Sequence, residues 1–328
     1  MTLCLIIVGI THWHAPRYVQ MLRKRGIRVL GCSDVNVLDG QKKAADHGIP
    51  FFASTAEMLE QTKADLALLL PRHDVAVAEI SLVADRKIPM LLEKPLGRNL
   101  VETQSSAQIV NAAGVFASVC LPNRHLRIWD VYQELEREGA LGTVIHAHFR
   151  MINGPPSRYV QYGVPWMLDP KTSGGGVLRN LGVHCTDAIS TLAGGRTLTL
   201  LGGCVDSKAH REAVDDFATG IFATQDGFVA SLEVGYTYAN QQEGGDYEWR
   251  IAATGAYLHE CNGKLRVHRR GSVLEETAVA TPHLTYEKMF NLAIDAYEAD
   301  AQPPIPVDAC VRAVALQDML YATLKSSK

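Results

Sequence analysis

The sequence predicts an α/β protein with an N-terminal doubly wound domain and a C-terminal α+β domain built on a large, mostly antiparallel open sheet. Continuous apolar segments alternate with helical segments up to residue 121, which is typical of a parallel sheet covered on both faces. Longer segments that alternate between apolar and polar residues follow, as in a sheet with one exposed face. The length of 328 residues allows two domains, which we expect at 1–121 and 122–328.

Apolar runs that end at turn residues define the elements of the first domain. The predicted strands are Leu3–Val8, Ile27–Cys32, Phe51–Phe52, Asp65–Leu70, Ile88–Leu92 and Val115–Cys120. The predicted helices are His14–Arg25, Asp39–His47, Thr55–Gln61, His73–Arg86 and Asn99–Ala112.

The second domain is predicted to begin with a helix over Leu126–Glu138. Its strands are expected at Val144–Met151, Leu198–Asp206, Asp216–Ala223, Phe228–Tyr238, Glu248–Ala253 and Lys264–Arg269. Further helices are expected at Val177–Leu192, Thr285–Glu298 and Val307–Ser326. A (βα)₈ barrel is disfavoured because the second half supplies mainly strands.

Composition excludes several functional classes. A net charge of -3 and an isoelectric point near 6.5 offer no basic patch for nucleic acid. The sequence contains no run of 18 apolar residues, so no membrane span is predicted. The apolar run Leu3–Ile10 is too short for a signal peptide. The seven cysteines are scattered without a C-x-x-C pair, so we expect reduced, buried thiols in a cytoplasmic protein.

The turn after the first predicted strand has two interpretations. His12 and His14 are spaced like a metal-binding pair, but spacing alone is a weak signal, and we expect no metal site. Alternatively, Gly9 is the first glycine of a dinucleotide-binding turn in which Thr11 replaces the second glycine and His14 the third. Such a turn binds a diphosphate at the N-terminus of the following helix.

Asp34 favours the dinucleotide interpretation. It lies at the end of the second strand, 25 residues after Gly9, where a carboxylate accepts hydrogen bonds from the ribose hydroxyls of NAD and repels the 2′-phosphate of NADP. NAD is therefore expected rather than NADP. The alternative is an aspartate that only caps the following turn.

The strand-end segment Glu93-Lys94-Pro95 resembles the Gfo/Idh/MocA family of NAD(P)-dependent oxidoreductases. The resemblance covers essentially the whole chain, with an N-terminal Rossmann domain. The other segments that carry it are Leu70-Pro71, Asn123-Arg124, Gly139-Ala140-Leu141-Gly142, Ser173-Gly174-Gly175-Gly176, Gly182-Val183-His184 and Asp187.

The predicted catalytic residues are Lys94, His184 and Asn180. Lys94 can stabilise a developing alkoxide, and His184 has a side chain suited to proton transfer near neutral pH. Asn180, His184 and Asp187 follow i, i+4, i+7 spacing and would share one helical face. The alternatives are a His184 satisfied by helix packing and an Asp187 that orients it.

The predicted cofactor-binding residues are Gly9, Ile10, Thr11, His12, Asp34, Pro71, Glu93 and Lys94. Substrate contacts are expected from the second domain. The family resemblance points to Arg124 and, through its second active-site motif, to Asp187, and position in the sequence adds Arg158, Tyr159, Trp166 and Arg179. His146 and His148 share a strand face and could bind a metal, but a solvated or interfacial face is the favoured interpretation.

These features predict an NAD-dependent oxidoreductase acting on a sugar, cyclitol or related polyhydroxy compound. The exposed sheet face predicts, by resemblance, a homodimer or homotetramer. The family usually has an aspartate where this chain has Asn180, and asparagine cannot take a proton. A non-catalytic NAD-binding sensor or regulator is therefore an alternative, as is an NAD-assisted lyase or glycosidase.

Overall fold

The computed structural model describes residues 2–239, 245–261, 263–279 and 282–326. The chain forms two compact units. The first unit contains Met1–Leu121, Tyr159–Gly174 and Phe290–Val311, and the second contains Pro122–Arg158, Gly175–Met289 and Arg312–Lys328. The sequence prediction assigns the two later segments of the first unit to the second domain.

A parallel sheet forms the centre of the first unit, as the continuous apolar segments predict. Strands β1–β6 are Cys4–Val8, Arg28–Ser33, Phe51–Phe52, Leu66–Leu69, Met90–Glu93 and Ala117–Cys120. Their order in the sheet is β3-β2-β1-β4-β5-β6, and every residue of β4, β5 and β6 is buried. The strand order reverses between β1 and β4, and in open sheets of this kind ligands bind at the carboxyl ends of the strands beside that point.

Five helices lie between these strands. They are Ala15–Lys24, Val37–Asp46, Thr55–Gln61, Ala76–Asp85 and Leu100–Ala113. Three of them begin at a polar cap, because the side chains of Asn36, Ser54 and Asn99 accept backbone N–H groups of the first turn. The predicted strands and helices of this region are confirmed, with ends that shift by a few residues.

The second unit is built on an eight-stranded sheet. Strands β7–β14 are Val144–Ile152, Leu198–Asp206, Phe217–Thr224, Val229–Gly235, Asp246–Ala253, Ala256–Cys261, Lys264–Arg269 and Glu275–Ala278. The order is β14-β13-β12-β11-β7-β10-β9-β8, in which β7 and β10 are parallel and the other neighbours are antiparallel. The mostly antiparallel sheet is therefore confirmed.

Two strands of this sheet were not predicted. Strand β12 follows β11 after only Thr254 and Gly255, and the prediction stops at the end of β11. Strand β14 lies at the sheet edge and is exposed along its whole length, so it carries no apolar pattern.

The remaining helices of the described residues include four longer ones and several short ones. The longer helices are Arg127–Arg137, Gly182–Ala193, Pro282–Glu298 and Val307–Ser326, and the shorter α and 3₁₀ helices are Pro122–His125, Arg158–Gln161, Pro165–Leu168, Pro170–Ser173 and Val177–Asn180. The single helix predicted over 177–192 is wrong, because it is interrupted at Leu181, just before a glycine. Within the described residues, no helix combines the length and apolarity needed to cross a membrane.

None of the seven cysteines, all of which lie in the described residues, forms a disulfide bond, as their scattered spacing predicts. Burial is less uniform than expected, because Cys204 is exposed on an outer strand and Cys4 and Cys261 are partly exposed.

The turn after β1 depends on a glycine. Gly9 has φ +87°, a backbone conformation that L side chains rarely adopt, and a Cβ at this position would overlap the carbonyl oxygen of Leu70. The Gly9 N–H also donates to the Ser33 carbonyl at 2.8 Å. The chain is thus held tightly between β2 and β4 where it leaves β1.

Replacement of Gly9 by alanine should lower the free energy of unfolding by about 3 kcal/mol or more, because the added methyl group meets backbone. Gly26→Ala is the matched control, since Gly26 has φ +68° and open space around an added Cβ. It should cost only about 1 kcal/mol, for the left-handed backbone. Chemical denaturation measures both losses, and equal losses would contradict the close contact.

His125, at the end of the 3₁₀ helix Pro122–His125, is held in its neutral form. Burial lowers the pKa of His125 to about 4, and Lys288 and Arg124 act in the same direction. Its Nε2 atom is buried without a hydrogen-bond partner in the described part of the chain.

Because an unfolded histidine titrates near pH 6.5, the unfolded state binds more protons than the folded state between pH 6.5 and 4. Stability should therefore fall as the pH drops through this window, with His125 contributing at most about 1.4 kcal/mol per pH unit. His125→Gln should flatten the pH dependence of urea denaturation, whereas the exposed His268→Gln should leave it unchanged. An unchanged slope in His125→Gln would refute the assignment.

Candidate active site

Asp34 joins the turns that follow β1 and β2. One carboxylate oxygen accepts the Thr11 N–H at 2.8 Å, and the other accepts the Asn36 N–H at 2.9 Å. The turn-capping alternative for Asp34 is therefore present in the structure. Each oxygen keeps a second lone pair, so capping does not use up its capacity to accept a ribose hydroxyl.

A cleft opens beside these turns in the first unit. Its lining includes Gly9, Thr11, His12, Asp34, Pro71 and Trp166. Ile10, also predicted to bind cofactor, is buried, with its N–H donating to the Ser33 carbonyl at 3.3 Å. The cleft thus lies where the sheet topology places ligands in doubly wound folds.

Glu93 and Lys94 end β5 and are both buried. The Tyr18 hydroxyl donates to Glu93 Oε2 at 2.8 Å, and His14 Nδ1 lies 3.5 Å from the same oxygen. Burial alone would raise the pKa of Glu93, but attraction to His14 and Lys94 outweighs it and lowers the pKa to about 2. Burial lowers the pKa of Lys94, against the opposing effect of Glu93. The pair is an ionised carboxylate next to an ammonium that is easier to deprotonate than usual.

Aromatic rings pack around Trp13 in the first unit. The Trp13 ring lies 3.8 Å from His12, 5.6 Å from Tyr159 and 6.1 Å from Trp166, measured between ring centroids. Tyr159 and Trp166, predicted as substrate contacts from the second domain, therefore lie in the first unit. Their contribution to substrate binding stays a prediction.

Asn180 and His184 belong to the second unit and occupy two successive helices. Asn180 ends the short helix Val177–Asn180, and His184 lies near the start of Gly182–Ala193. Both side chains are buried, at 3% and 6% exposure. The Asn180 amide donates to the Tyr236 hydroxyl at 3.3 Å, and the Arg158 guanidinium lies over the Tyr236 ring at 5.4 Å.

Arg124 and Asp187 form an ion pair with each other. Arg124 Nε and Nη2 donate to the two Asp187 oxygens, each at 2.7 Å. Asp187 is buried, whereas Arg124 is partly exposed. Such a two-point pair is geometrically specific, so Asp187 orients Arg124.

The three glycines before Asn180 allow close approach of protein groups. A Cβ on Gly174 would overlap Arg98, one on Gly175 would overlap the Tyr321 hydroxyl, and one on Gly176 would overlap the Asp215 backbone. These glycines are therefore required by packing within the protein.

Asp215 holds the start of the helix Val177–Asn180. Its carboxylate accepts the N–H groups of Gly176 and Leu178 at 2.7 and 2.8 Å, and the Tyr321 hydroxyl at 2.8 Å. Burial raises the pKa of Asp215, against these hydrogen bonds. The segment that carries Asn180 is thus fixed by a carboxylate 35 positions after it in the sequence.

Arg179 has a structural environment. It is 2% exposed, donates to Gln317 Oε1 at 2.7 Å, and lies over the Tyr321 ring at 5.0 Å. Its guanidinium also pairs with Asp318. These contacts join the short helix Val177–Asn180 to the C-terminal helix Val307–Ser326 and explain why Arg179 is buried.

Neither histidine pair has a metal-binding set around it. His12 Nδ1 accepts the His14 N–H at 3.1 Å, and His148 Nδ1 lies 2.9 Å from Ser231 Oγ. Among the described residues, no group of three or more histidine, cysteine, aspartate or glutamate side chains could hold a metal ion.

Sequence reasoning missed Tyr236, Asp215 and Tyr321. Tyr236 follows an apolar strand and is buried like its neighbours, so no local pattern marks it. Asp215 and Tyr321 act through contacts that are distant in sequence. The signal that could have found them is the glycine run itself, because consecutive glycines indicate that other protein groups lie against the backbone there.

Residues 130–259 match the model of the family described as GFO/IDH/MocA C-terminal domain. The trans-1,2-dihydrobenzene-1,2-diol dehydrogenase of Macaca fascicularis is 23% identical over 218 residues, which are 66% of this chain and 62% of that protein. The match with this relative therefore spans less than two thirds of its length.

Solved structures share the fold across the chain. An oxidoreductase from Agrobacterium radiobacter, in complex with NAD+, L-tartaric acid and magnesium, has a TM-score of 0.86 and 14% identity, covering 100% of this chain and 98% of that chain. A levoglucosan dehydrogenase in complex with NADH and levoglucosan has a TM-score of 0.83 and 12% identity, covering 100% and 98%. The resemblance inferred from the sequence motifs is thereby confirmed, with residues 130–259 matching the C-terminal domain of the Gfo/Idh/MocA family.

Proposed function

We propose that this protein is an NAD-dependent oxidoreductase that transfers a hydride between nicotinamide and a carbinol or carbonyl carbon of a sugar, cyclitol or related polyhydroxy compound. The observation that carries the proposal is the cleft at the strand-order reversal, lined by Gly9, Thr11 and Asp34. Oxidation of an alcohol at such a cleft needs a dinucleotide and a group that accepts the hydroxyl proton.

The residues of the first unit fit NAD. Gly9 lines the cleft at the turn after β1, and Asp34 keeps lone pairs for ribose hydroxyls. The Asp34 carboxylate would repel the 2′-phosphate of NADP, which makes NADP the less favoured cofactor. The residues that would hold NAD are Gly9, Ile10, Thr11, His12, Asp34, Pro71, Glu93 and Lys94.

The names of the relatives support the substrate class. They describe the oxidation of a dihydrodiol and of levoglucosan, and a complex that contains L-tartaric acid. Each of these compounds carries a secondary alcohol beside a second hydroxyl. The three compounds therefore all belong to the class of polyhydroxy compounds.

NAD, when bound, supplies the hydride acceptor. Lys94 is buried beside ionised Glu93, so its ammonium is positioned to stabilise the negative charge that develops on the substrate oxygen. His184 accepts the hydroxyl proton as general base, and returns it as general acid in the reverse direction. Asn180 orients a substrate hydroxyl through its amide.

Substrate contacts are assigned to Arg124, Asp187, Tyr159 and Trp166. The bidentate pair holds the Arg124 guanidinium in one orientation, so Asp187 positions a donor for substrate oxygens. Tyr159 and Trp166 offer aromatic faces suited to the apolar side of a sugar ring.

A homodimer or homotetramer, working in the cytoplasm, is part of the proposal. Apolar side chains are exposed on adjacent strands of the second sheet, with Leu201, Ile221 and Val229 exposed by 63%, 45% and 37%. An exposed apolar sheet face of this kind is typical of a surface covered by a second copy.

A non-catalytic NAD-binding regulator is the second candidate. The observation that favours it is Asn180, whose amide donates to the Tyr236 hydroxyl and cannot accept a proton as an aspartate carboxylate would.

Mixing the protein and NAD with a panel of sugars, cyclitols and related polyols should raise the absorbance at 340 nm with at least one compound. His184→Ala should then reduce turnover by about 100-fold or more, the usual contribution of a general base, without changing the affinity for NAD. His146→Ala removes an exposed histidine of the same unit and should retain full activity. Measured NAD binding without turnover of any compound would favour the regulator instead, and full turnover in His184→Ala would remove its assigned role.

The wild-type protein should bind NAD at least about tenfold more tightly than NADP, since a buried carboxylate and a phosphate repel each other. Asp34→Ser removes that charge but keeps a hydrogen-bonding oxygen, so it should narrow the preference. Asp39→Asn, in the first turn of the next helix, is the control and should leave the preference for NAD unchanged. Calorimetric titration gives both affinities, and a wild-type preference for NADP would overturn the role of Asp34.

A further inference from the structure

The backbone of the turn after β1 has almost no hydrogen-bond donors left for a ligand. The N–H groups of Gly9 and Ile10 both donate to the Ser33 carbonyl, and the Thr11 N–H donates to Asp34 Oδ2. The His12 N–H donates to the Gly9 carbonyl, and the Ala15 N–H donates to the His12 carbonyl. The His14 N–H donates to His12 Nδ1. Within the described residues, only the Trp13 N–H in this stretch has no such partner.

This arrangement differs from an ordinary dinucleotide-binding turn. There, backbone N–H groups at the start of the helix point at the diphosphate, and a second glycine lets the ligand approach them. Here Thr11 occupies the position of that glycine, and its N–H is committed to Asp34 at 2.8 Å. Apart from the Trp13 N–H, the donors for a diphosphate must therefore come from side chains.

His12 is the side chain that the structure orients for this role. It lines the cleft although it is only 3% exposed, and its ring stacks on Trp13 with centroids 3.8 Å apart and an interplanar angle of 23°. Its Nδ1 accepts the His14 N–H at 3.1 Å, so in the neutral ring the hydrogen is on Nε2. Within the described part of the chain, Nε2 has no hydrogen-bond partner.

The groups around His12 keep its ring neutral. Burial lowers the pKa of His12 well below its usual value, and His14 on the same turn, Lys94 at the end of β5 and His73 after β4 act in the same direction. Only Glu93, beside Lys94, opposes them. The imidazole therefore offers an N–H donor without a charge.

We propose that the diphosphate of a dinucleotide is bound at this turn by side-chain donors, with the Nε2–H of neutral His12 and the hydroxyl of Thr11 in place of backbone N–H groups. The proposal deepens the proposed function and rests on it, because it assumes that the cleft binds NAD. It gives the His-Trp-His sequence a specific role: Trp13 holds the ring by stacking, and the His14 N–H fixes the tautomer.

Two substitutions of His12 separate its ring nitrogens. Asparagine keeps an acceptor near the position of Nδ1 but loses the distal donor, whereas glutamine places an N–H donor near the position of Nε2. His12→Asn should weaken binding of both NAD and ADP-ribose by about tenfold or more, as expected for a lost hydrogen bond to a charged group. His12→Gln should stay within about threefold of the wild type.

Adenosine, which lacks a diphosphate, should bind the wild type and His12→Asn equally. His47→Asn, which replaces another histidine of the same unit, is the control and should bind all three ligands as the wild type does. Thermal unfolding of each variant checks that the fold is retained. For the wild type, the dissociation constant of ADP-ribose should be constant between pH 6 and pH 8.5, because the donor does not titrate in this range.

Equal affinity of His12→Asn and wild type for ADP-ribose would overturn the proposal while leaving NAD binding intact. Equal loss of ADP-ribose affinity in His12→Asn and His12→Gln would also overturn it, because His12 would then only maintain the shape of the turn. Tighter ADP-ribose binding below pH 7 that disappears in His12→Asn would mean a charged imidazolium. Failure of the wild type to bind NAD or ADP-ribose would overturn the proposed function together with this inference.

Discussion

The two hydrogen bonds that Asp34 accepts determine the shape of the candidate cofactor site. Because one carboxylate binds the N–H groups of Thr11 and Asn36, the turns after β1 and β2 are fixed to each other. Hydrogen bonds to a charged group contribute about 1.5–3 kcal/mol each to stability, so a single carboxylate holds the two turns together firmly. Its consequence is chemical as well as structural, since it removes the Thr11 N–H from the donors available to a diphosphate.

The second unit uses a similar device around Asn180. Asp215 accepts the Gly176 and Leu178 N–H groups and the Tyr321 hydroxyl, which fixes the short helix that ends at Asn180. In both units a buried carboxylate satisfies backbone donors of a glycine-containing turn, and the glycine is required because protein atoms approach too closely for a side chain. Buried donors of this kind must be paired, and these carboxylates provide the partners.

Local patterns predicted the parallel sheet and its helices well, because buried strands such as Leu66–Leu69 are continuous apolar runs and polar residues such as Ser54 mark helix starts. The patterns failed where the determining contact is distant in sequence. The exposed edge strand Glu275–Ala278 has no apolar residues that face a core. Asp215 and Tyr236 reach the Asn180 helix only through the fold, and the hydrogen bonds that use up the donors of the Gly9 turn cannot be read from its residue types.

In the proposed binding mode, the chain binds a dinucleotide with its diphosphate on the side chains of the Gly9–His14 turn. A crystal structure of the protein with NAD tests it most directly. We expect the diphosphate oxygens within hydrogen-bond distance of Thr11 Oγ1 and His12 Nε2, the adenosine ribose on Asp34, and the Thr11 N–H still bonded to that carboxylate. A diphosphate bound to backbone N–H groups of a rearranged turn, or a dinucleotide bound elsewhere, would contradict this binding mode.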